Sequence, residues 1–219
     1  MKRQAIVVGL GQFGMAVARA LAEEGVEVFA IDVDEHKVSA AAGFVAEAAV
    51  LDAMSEEALA QTSPSRRDFC LCAIGDEAKD ASIICTALLK QLGAKRVVAR
   101  ANDALHARIL RLVGADTVVN PEREFGQRFA TRLLHDDIQG EMALGHGLWV
   151  TELKVPAALI GKRLRDLRLP TRFGVTLIAL RRAGCSTVLL PDPELVPQED
   201  DVFVLVSKER AVADMMRRF

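Results

Sequence analysis

Ala5-Ile-Val-Val-Gly-Leu-Gly-Gln-Phe-Gly14 decides how the rest of the chain is read. Ala5 to Val8 are apolar and uncharged, the pattern of a strand buried on both faces in a parallel sheet. Gly9, Gly11 and Gly14 follow in Gly-x-Gly-x-x-Gly spacing. Gly9 permits the sharp exit from the strand, Gly11 lets backbone approach a pyrophosphate, and Gly14 lets the next helix pack closely on the sheet. A helix predicted from Gln12 to Glu24 aims its unpaired N–H groups and positive dipole end at the same place. Together these features predict an anion site.

A second apolar strand, Val26 to Ile31, ends in Asp32, eighteen residues beyond Gly14. A carboxylate there accepts hydrogen bonds from ribose hydroxyls and repels a 2′-phosphate, so the site is expected to take NAD or an adenine nucleotide rather than NADP. A glycine turn and a helix-capping aspartate with no ligand would be the purely structural alternative.

The remaining chain repeats the unit. Helices are predicted from Glu35 to Ala42, from Ser55 onward, from Ala78 to Gln91 and from Asp103 to Val113. Strands are predicted at Val45 to Leu51, Phe69 to Ile74, Arg96 to Arg100 and Asp116 to Val119. Six strands alternating with helices favour an α/β, doubly wound, Rossmann-like parallel sheet. Ligands of such sheets lie beyond the strands' carboxyl ends. That rim carries the glycine turn, Asp32 and Asp34, Asp52, Gly75 and Asp76, Arg100 and Asn102, and Asn120 and Glu122.

Pro121 and Glu122 open a helix bearing Phe125, Phe129 and Leu133 at four-residue steps. This stripe either covers the edge of its own sheet or crosses to a second subunit. The polar, glycine-containing stretch from Asp136 to Gly147 reads as a boundary, separating a first domain of residues 1–135 from a second of 136–219. The second half has strands at Leu148 to Val155, Val175 to Leu180, Thr187 to Leu190 and Asp201 to Val206. Short helices are predicted at Gly161 to Leu167 and Lys208 to Arg218, giving a small α+β domain suited to dimerisation.

Composition sets outer bounds. The chain has 219 residues, 51% hydrophobic and 26% charged, with a net charge of −2, so no broad basic surface argues for nucleic acid. Met-Lys-Arg runs straight into a strand, and no apolar run is long enough to cross a bilayer, which points to the cytoplasm. Cys70, Cys72, Cys85 and Cys185 lie in apolar stretches rather than in metal-ligand spacing and read as buried small hydrophobes. Cys70 and Cys72 alternate along one strand and so share a face.

With both halves laid out, the chain resembles the RCK (regulator of conductance of potassium) family, specifically the cytosolic regulatory subunits of Trk/Ktr potassium uptake systems. The matching stretches are Gly9-Leu-Gly-Gln-Phe-Gly14, Ile31-Asp-Val-Asp-Glu-His-Lys37, Ala73-Ile-Gly75, Ala99-Arg-Ala-Asn-Asp103 with His106, and Gly114-Ala-Asp116 leading to Asn120-Pro-Glu122. Leu164 to Leu169 and Gly174 to Leu180 match in the second half.

The resemblance implies a site for ATP/ADP or NAD(H) made by Gly9, Leu10, Gly11, Gln12, Phe13, Gly14, Asp32, Val33, Asp34, Lys37, Asp52, Ala53, Ile74, Gly75, Asp76, Arg100, Asn102 and Glu122. It further implies that Asp32 holds ribose, that Arg100 sits near the nucleotide, and that Glu122 helps bind a cation, Mg or Ca, at a dimer interface. Phe125, Phe129 and Leu133 would belong to a crossover helix pairing protomers. Relatives assemble such homodimers into an octameric ring beneath a membrane-embedded potassium-translocating subunit.

Three departures stand out, one of them a loop from Asp76 to Asp80 that is one residue longer than usual. Gln12 replaces an Arg that many relatives direct at a terminal phosphate, removing a charge that would discriminate ATP from ADP. Pro170-Thr-Arg-Phe173 replaces a more basic pattern of relatives that bind cyclic di-AMP, which argues against that ligand. The alternative from another class is a small NAD-dependent oxidoreductase, which needs a proton donor beside the nicotinamide; neither His106, predicted on a helix, nor His146, in the boundary stretch, is a convincing candidate. A nucleotide-sensing transcription regulator would need a basic recognition helix.

Overall fold

The structure, a computed structural model, describes residues 2–75, 78–184, 188–208 and 210–218, with backbone alone at 128, 131 and 132. It divides into two compact units, Met1–Arg123 and Glu124–Phe219.

The first unit alternates β1 (Gln4–Val8), α1 (Gln12–Glu23), β2 (Glu27–Asp32), α2 (Glu35–Ala42), β3 (Glu47–Val50), α3 (Glu56–Gln61), β4 (Phe69–Cys72), α4 (Lys79–Gln91), β5 (Val97–Arg100), α5 (Ala104–Leu112) and β6 (Thr117–Val119). The six strands are parallel in the order β3-β2-β1-β4-β5-β6, the doubly wound Rossmann-like arrangement expected from the alternation. Strand β1 is central, paired with β2 and β4, and Ala5 to Val8 are buried as their lack of charge requires.

Successive residues of a strand point to opposite faces, and the core divides accordingly. Ile6, Val8, Cys70, Cys72, Val97 and Ala99 pack with Leu59, Cys85, Leu89 and Leu110 from α3, α4 and α5. Val7, Val28, Ala30, Leu71 and Ala73 pack with Ala18, Val38 and Ala41 from α1 and α2. Cys70 and Cys72 therefore share a face, and with Cys85 they are free and buried. Burial pushes the Cys70 thiol up to about 12, against the opposing pull of Arg67. Cys185 lies outside the described residues.

Helix α6 (Pro121–Leu134) begins in the first unit and runs into the second. Its apolar stripe is open rather than tucked against a sheet: Phe125, Phe129 and Leu133 are exposed, and the two phenyl rings stack with centroids 5.6 Å apart.

The second unit is an antiparallel sheet ordered β10-β9-β11-β8-β7, formed by β7 (Ile138–Gly145), β8 (Leu148–Lys154), β9 (Val175–Arg181), β10 (Val188–Leu189) and β11 (Val202–Lys208). Helices α7 (Leu164–Leu167), α8 (Leu169–Phe173) and α9 (Ala211–Met216) contribute Leu167, Leu169, Val212 and Met215 to a core centred on Phe203 and Leu205. It is the smaller α+β domain expected, with one correction. Within the expected boundary 136–147, residues 138–145 instead form strand β7, hairpinned to β8 through His146 and Gly147, both at positive φ. Its two glycines and exposed Met142 and Leu144 mask a period-two pattern on an edge strand. Helix α8 carries Pro170 in its first turn, where proline is tolerated.

Candidate functional site

Strand order reverses between β1 and β4, and a cleft of about 460 Å³ opens beyond their carboxyl ends. Gly9, Gly11, Asp32, Val33, Lys37, Asp52, Ala53, Ile74, Gly75 and Arg100 line it. Sequence reading missed Val8, Leu51, Ala73, Ala78 and Ala81, which complete the wall. The last two sit one helical turn apart at the start of α4, a spacing that could have been noticed.

Gly9 and Gly14 serve the turn and the packing expected of them. Gly9 has φ +91, and a Cβ on it would lie 2.9 Å from the Ile74 amide nitrogen, so both turn and packing need glycine. Gly14 is buried where a Cβ would run into the Gly9 carbonyl oxygen. Gly11 faces open space, and helix α1 starts there with no side-chain cap and no acidic residue in its first turn. Its N-terminal amides and dipole are thus left for an anion arriving in the cleft.

Asp32 at the end of β2 is only 9% exposed. Its carboxylate accepts hydrogen bonds from the Leu10 amide at 2.6 Å and the Asp34 amide at 2.9 Å, with the Lys37 ammonium 3.8 Å away. These bonds lock the glycine turn to β2. Each carboxylate oxygen accepts more than one hydrogen bond, so the group keeps capacity for a ligand hydroxyl.

Other expected positions lie off the cleft wall. Leu10 is buried beneath the turn, Gln12 is exposed on α1, and Asp34 caps α2 by accepting from the His36 amide. Asn102 has both side-chain polar atoms buried and unpartnered among the described residues, while its backbone N–H reaches the His106 ring at 3.4 Å. Asp103 caps α5; the hydrogen bond from the His106 amide, then the Lys79 ammonium, hold its carboxyl below the ordinary 3.8. Asp76 lies outside the described residues.

Arg100 and Glu122, at the ends of β5 and the start of α6, form an ion pair. Arg100 lines the cleft, with its guanidinium 5.8 Å from the Phe13 ring centroid; Glu122 does not line it. Glu122 alone does not make a cation site in one chain: it is bound to a guanidinium, and among the described residues no three His, Cys, Asp or Glu side chains gather for a metal.

Fold and cleft define a doubly wound α/β protein with a glycine turn opening onto a strand-end cleft, followed by a small antiparallel α+β unit. Residues 5–121 match the TrkA-N domain and residues 150–219 the TrkA-C domain. Ktr system potassium uptake protein A of Vibrio alginolyticus is 36% identical, over 98% of this chain and 97% of its own length. Ktr system potassium uptake protein C of Bacillus subtilis is 31% identical, over 99% and 96%. The chain belongs to the RCK family, in the branch of the Ktr and Trk potassium uptake proteins. Among solved structures, the GsuK channel superposes with a TM-score of 0.67 at 17% identity, covering 98% of this chain and 39% of that one. The GsuK channel bound to NAD gives 0.64 at 17%, covering 97% and 38%. The chain spans less than half the length of these channel chains, and at this identity the likeness is one of fold.

Proposed function

We propose that this chain is the nucleotide-sensing regulatory subunit of a Ktr/Trk-type potassium uptake system, taking ATP/ADP or NAD(H) in the β1/β4 cleft. The observation that carries the reading is the open glycine turn: Gly11 faces empty space, α1 is uncapped, and Asp32 is fixed beside them. Support comes also from end-to-end similarity to Ktr proteins and from a structural relative described as bound to NAD.

In this reading Gly9, Gly11 and the α1 amides receive the phosphates, Asp32 and Lys37 the ribose, Asp52 and Ala53 border the adenosine, and Arg100 contacts phosphate. Residues 1–135 form the sensing domain with its crossover helix, and 136–219 the dimerising domain. Phe125, Phe129 and Leu133 join protomers into homodimers that build an octameric ring on the cytoplasmic face of the membrane. A Mg or Ca ion at Glu122 belongs to this reading only as a site shared between two copies. Nucleotide acts by binding two ring states unequally; a difference of about 1.4 kcal/mol changes their ratio tenfold.

The oxidoreductase alternative gains nothing from the two histidines considered for it. His106 is buried on α5 and His146 lies in the β7/β8 turn of the other unit. The test is potassium flux through a reconstituted Ktr/Trk membrane subunit, with and without this chain and each nucleotide. Nucleotide-dependent flux is expected; flux indifferent to every adenine ligand overturns the reading.

A further inference from the structure

The Arg100–Glu122 pair places a charged cleft residue under the control of a group outside the cleft. Arg100 is 13% exposed and lines the wall; Glu122 is 58% exposed and stands beyond it. The guanidinium has five N–H donors in a planar fork. One arm is bound to Glu122, while the Nε–H is buried without a partner among the described residues. The Phe13 ring stands beside it, and Gly75 leaves it room: a Cβ there would lie 3.4 Å from the Nη1 nitrogen. A partly unsatisfied, mostly desolvated guanidinium beside a glycine turn is suited to an oxyanion, and its charge is neutralised by a carboxylate.

Glu122 is the second residue of α6, a helix of 14 residues. Its negative charge is favoured by that helix N-terminus whether or not it touches Arg100, which lowers the cost of letting go. Among the described residues Arg100 has one carboxylate partner, Glu122.

We propose that Glu122 is a resident counter-ion which a ligand phosphate displaces from Arg100, so that affinity at this end of the cleft is set by competition between carboxylate and phosphate for one guanidinium. The proposal rests on the nucleotide reading above. Its consequence is that ligand entry frees the first turn of α6, the helix that leads out of the first unit.

The experiment titrates ADP and NAD separately into the full chain by calorimetry, in chelator so that no divalent cation contributes. The proteins are wild type, Glu122→Gln, Arg100→Gln and the double variant, with Arg100→Lys as a second background should Arg100→Gln not fold. For whichever probe binds wild type, Glu122→Gln is expected to tighten binding about two- to fivefold, the value of one solvent-accessible ion pair. Arg100→Gln weakens it, and in either Arg100 background the gain from Glu122→Gln shrinks or disappears. Unchanged or weaker binding by Glu122→Gln overturns the proposal alone. So does an equal gain in the Arg100→Gln background, which would mean simple removal of a negative charge. Binding of neither probe to wild type overturns the nucleotide reading and the proposal with it.

Discussion

A Cβ built on Gly14 would run into the carbonyl oxygen of Gly9 and stand 3.1 Å from the Ala73 Cβ, so helix α1 touches the sheet through bare backbone. Gly11, between them in sequence, would meet nothing within 4 Å. The same residue type thus serves packing at one position and access at the other, and substitution separates the two.

Gly14→Ala is expected to destabilise the protein by about 3 kcal/mol, since a backbone oxygen cannot step aside as a side chain can. Gly11→Ala costs at most about 1 kcal/mol, the loss of a favourable N-cap. On the proposed function it nevertheless weakens nucleotide binding by about tenfold or more, because its methyl projects into the phosphate path. Urea denaturation and calorimetric titration of the two variants check this; equal stability losses would contradict it.

Asp32 organises the site before any ligand arrives. Its oxygens accept from the Leu10 and Asp34 amides, and in Asp32→Asn one oxygen becomes an NH₂ group facing an N–H donor. Ligand-free Asp32→Asn is therefore expected to lose about 1–3 kcal/mol in urea denaturation. An unchanged midpoint would show that the carboxylate is needed for ligand alone.

Asp116 supplies an acid-sensitive tie between α4, β5 and β6. The Lys90 ammonium, at 2.8 Å and 2.9 Å from its two oxygens, and the Val97 amide hold its carboxyl below the ordinary 3.8. A carboxyl that is more acidic in the folded state contributes stability above the unfolded value, and that contribution is lost as pH falls through the folded one. Asp116→Asn should thus lower Tm at pH 7, with the gap to wild type closing as pH falls below 3.8. A gap independent of pH would assign the loss to packing.

Cys70, Cys72 and Cys85 are buried on one face of the sheet, and burial keeps the Cys70 thiol protonated with its value at about 12. A disulfide reagent must reach the sulfur, and although the hydrogen bond with Cys85 brings the Cys72 thiol down to about 7, all three are fully buried, so in the native protein they should label at least about a hundredfold more slowly than in urea. Residue-resolved mass spectrometry reads the rates. Fast native labelling of any of the three would mean the sheet face opens readily.

The parallel fold was legible because its signals are local. Ala5 to Val8 lack charge, the glycines keep fixed spacing, and Asp32 follows its strand directly, so covalent neighbours carry the pattern. Strand β7 was not legible. It is a sheet edge, where one side needs no apolar partner, and its glycines read as turns until β8 pairs with it. The cleft wall was legible only in part, since Leu51, Ala73, Ala78 and Ala81 carry no chemistry that marks them and are recruited by position.

The chain's order of residues determined by itself that a buried strand would turn through glycines into an uncapped helix, with a carboxylate waiting on the next strand. Tertiary structure alone decided which charges meet. Arg100 and Glu122 are 22 positions apart and belong to different elements; the order of strands puts both on one rim, but only the fold makes them an ion pair. Their contact exists because β5 ends beside the start of α6, and electrostatic pairing depends on distance through space rather than along the chain.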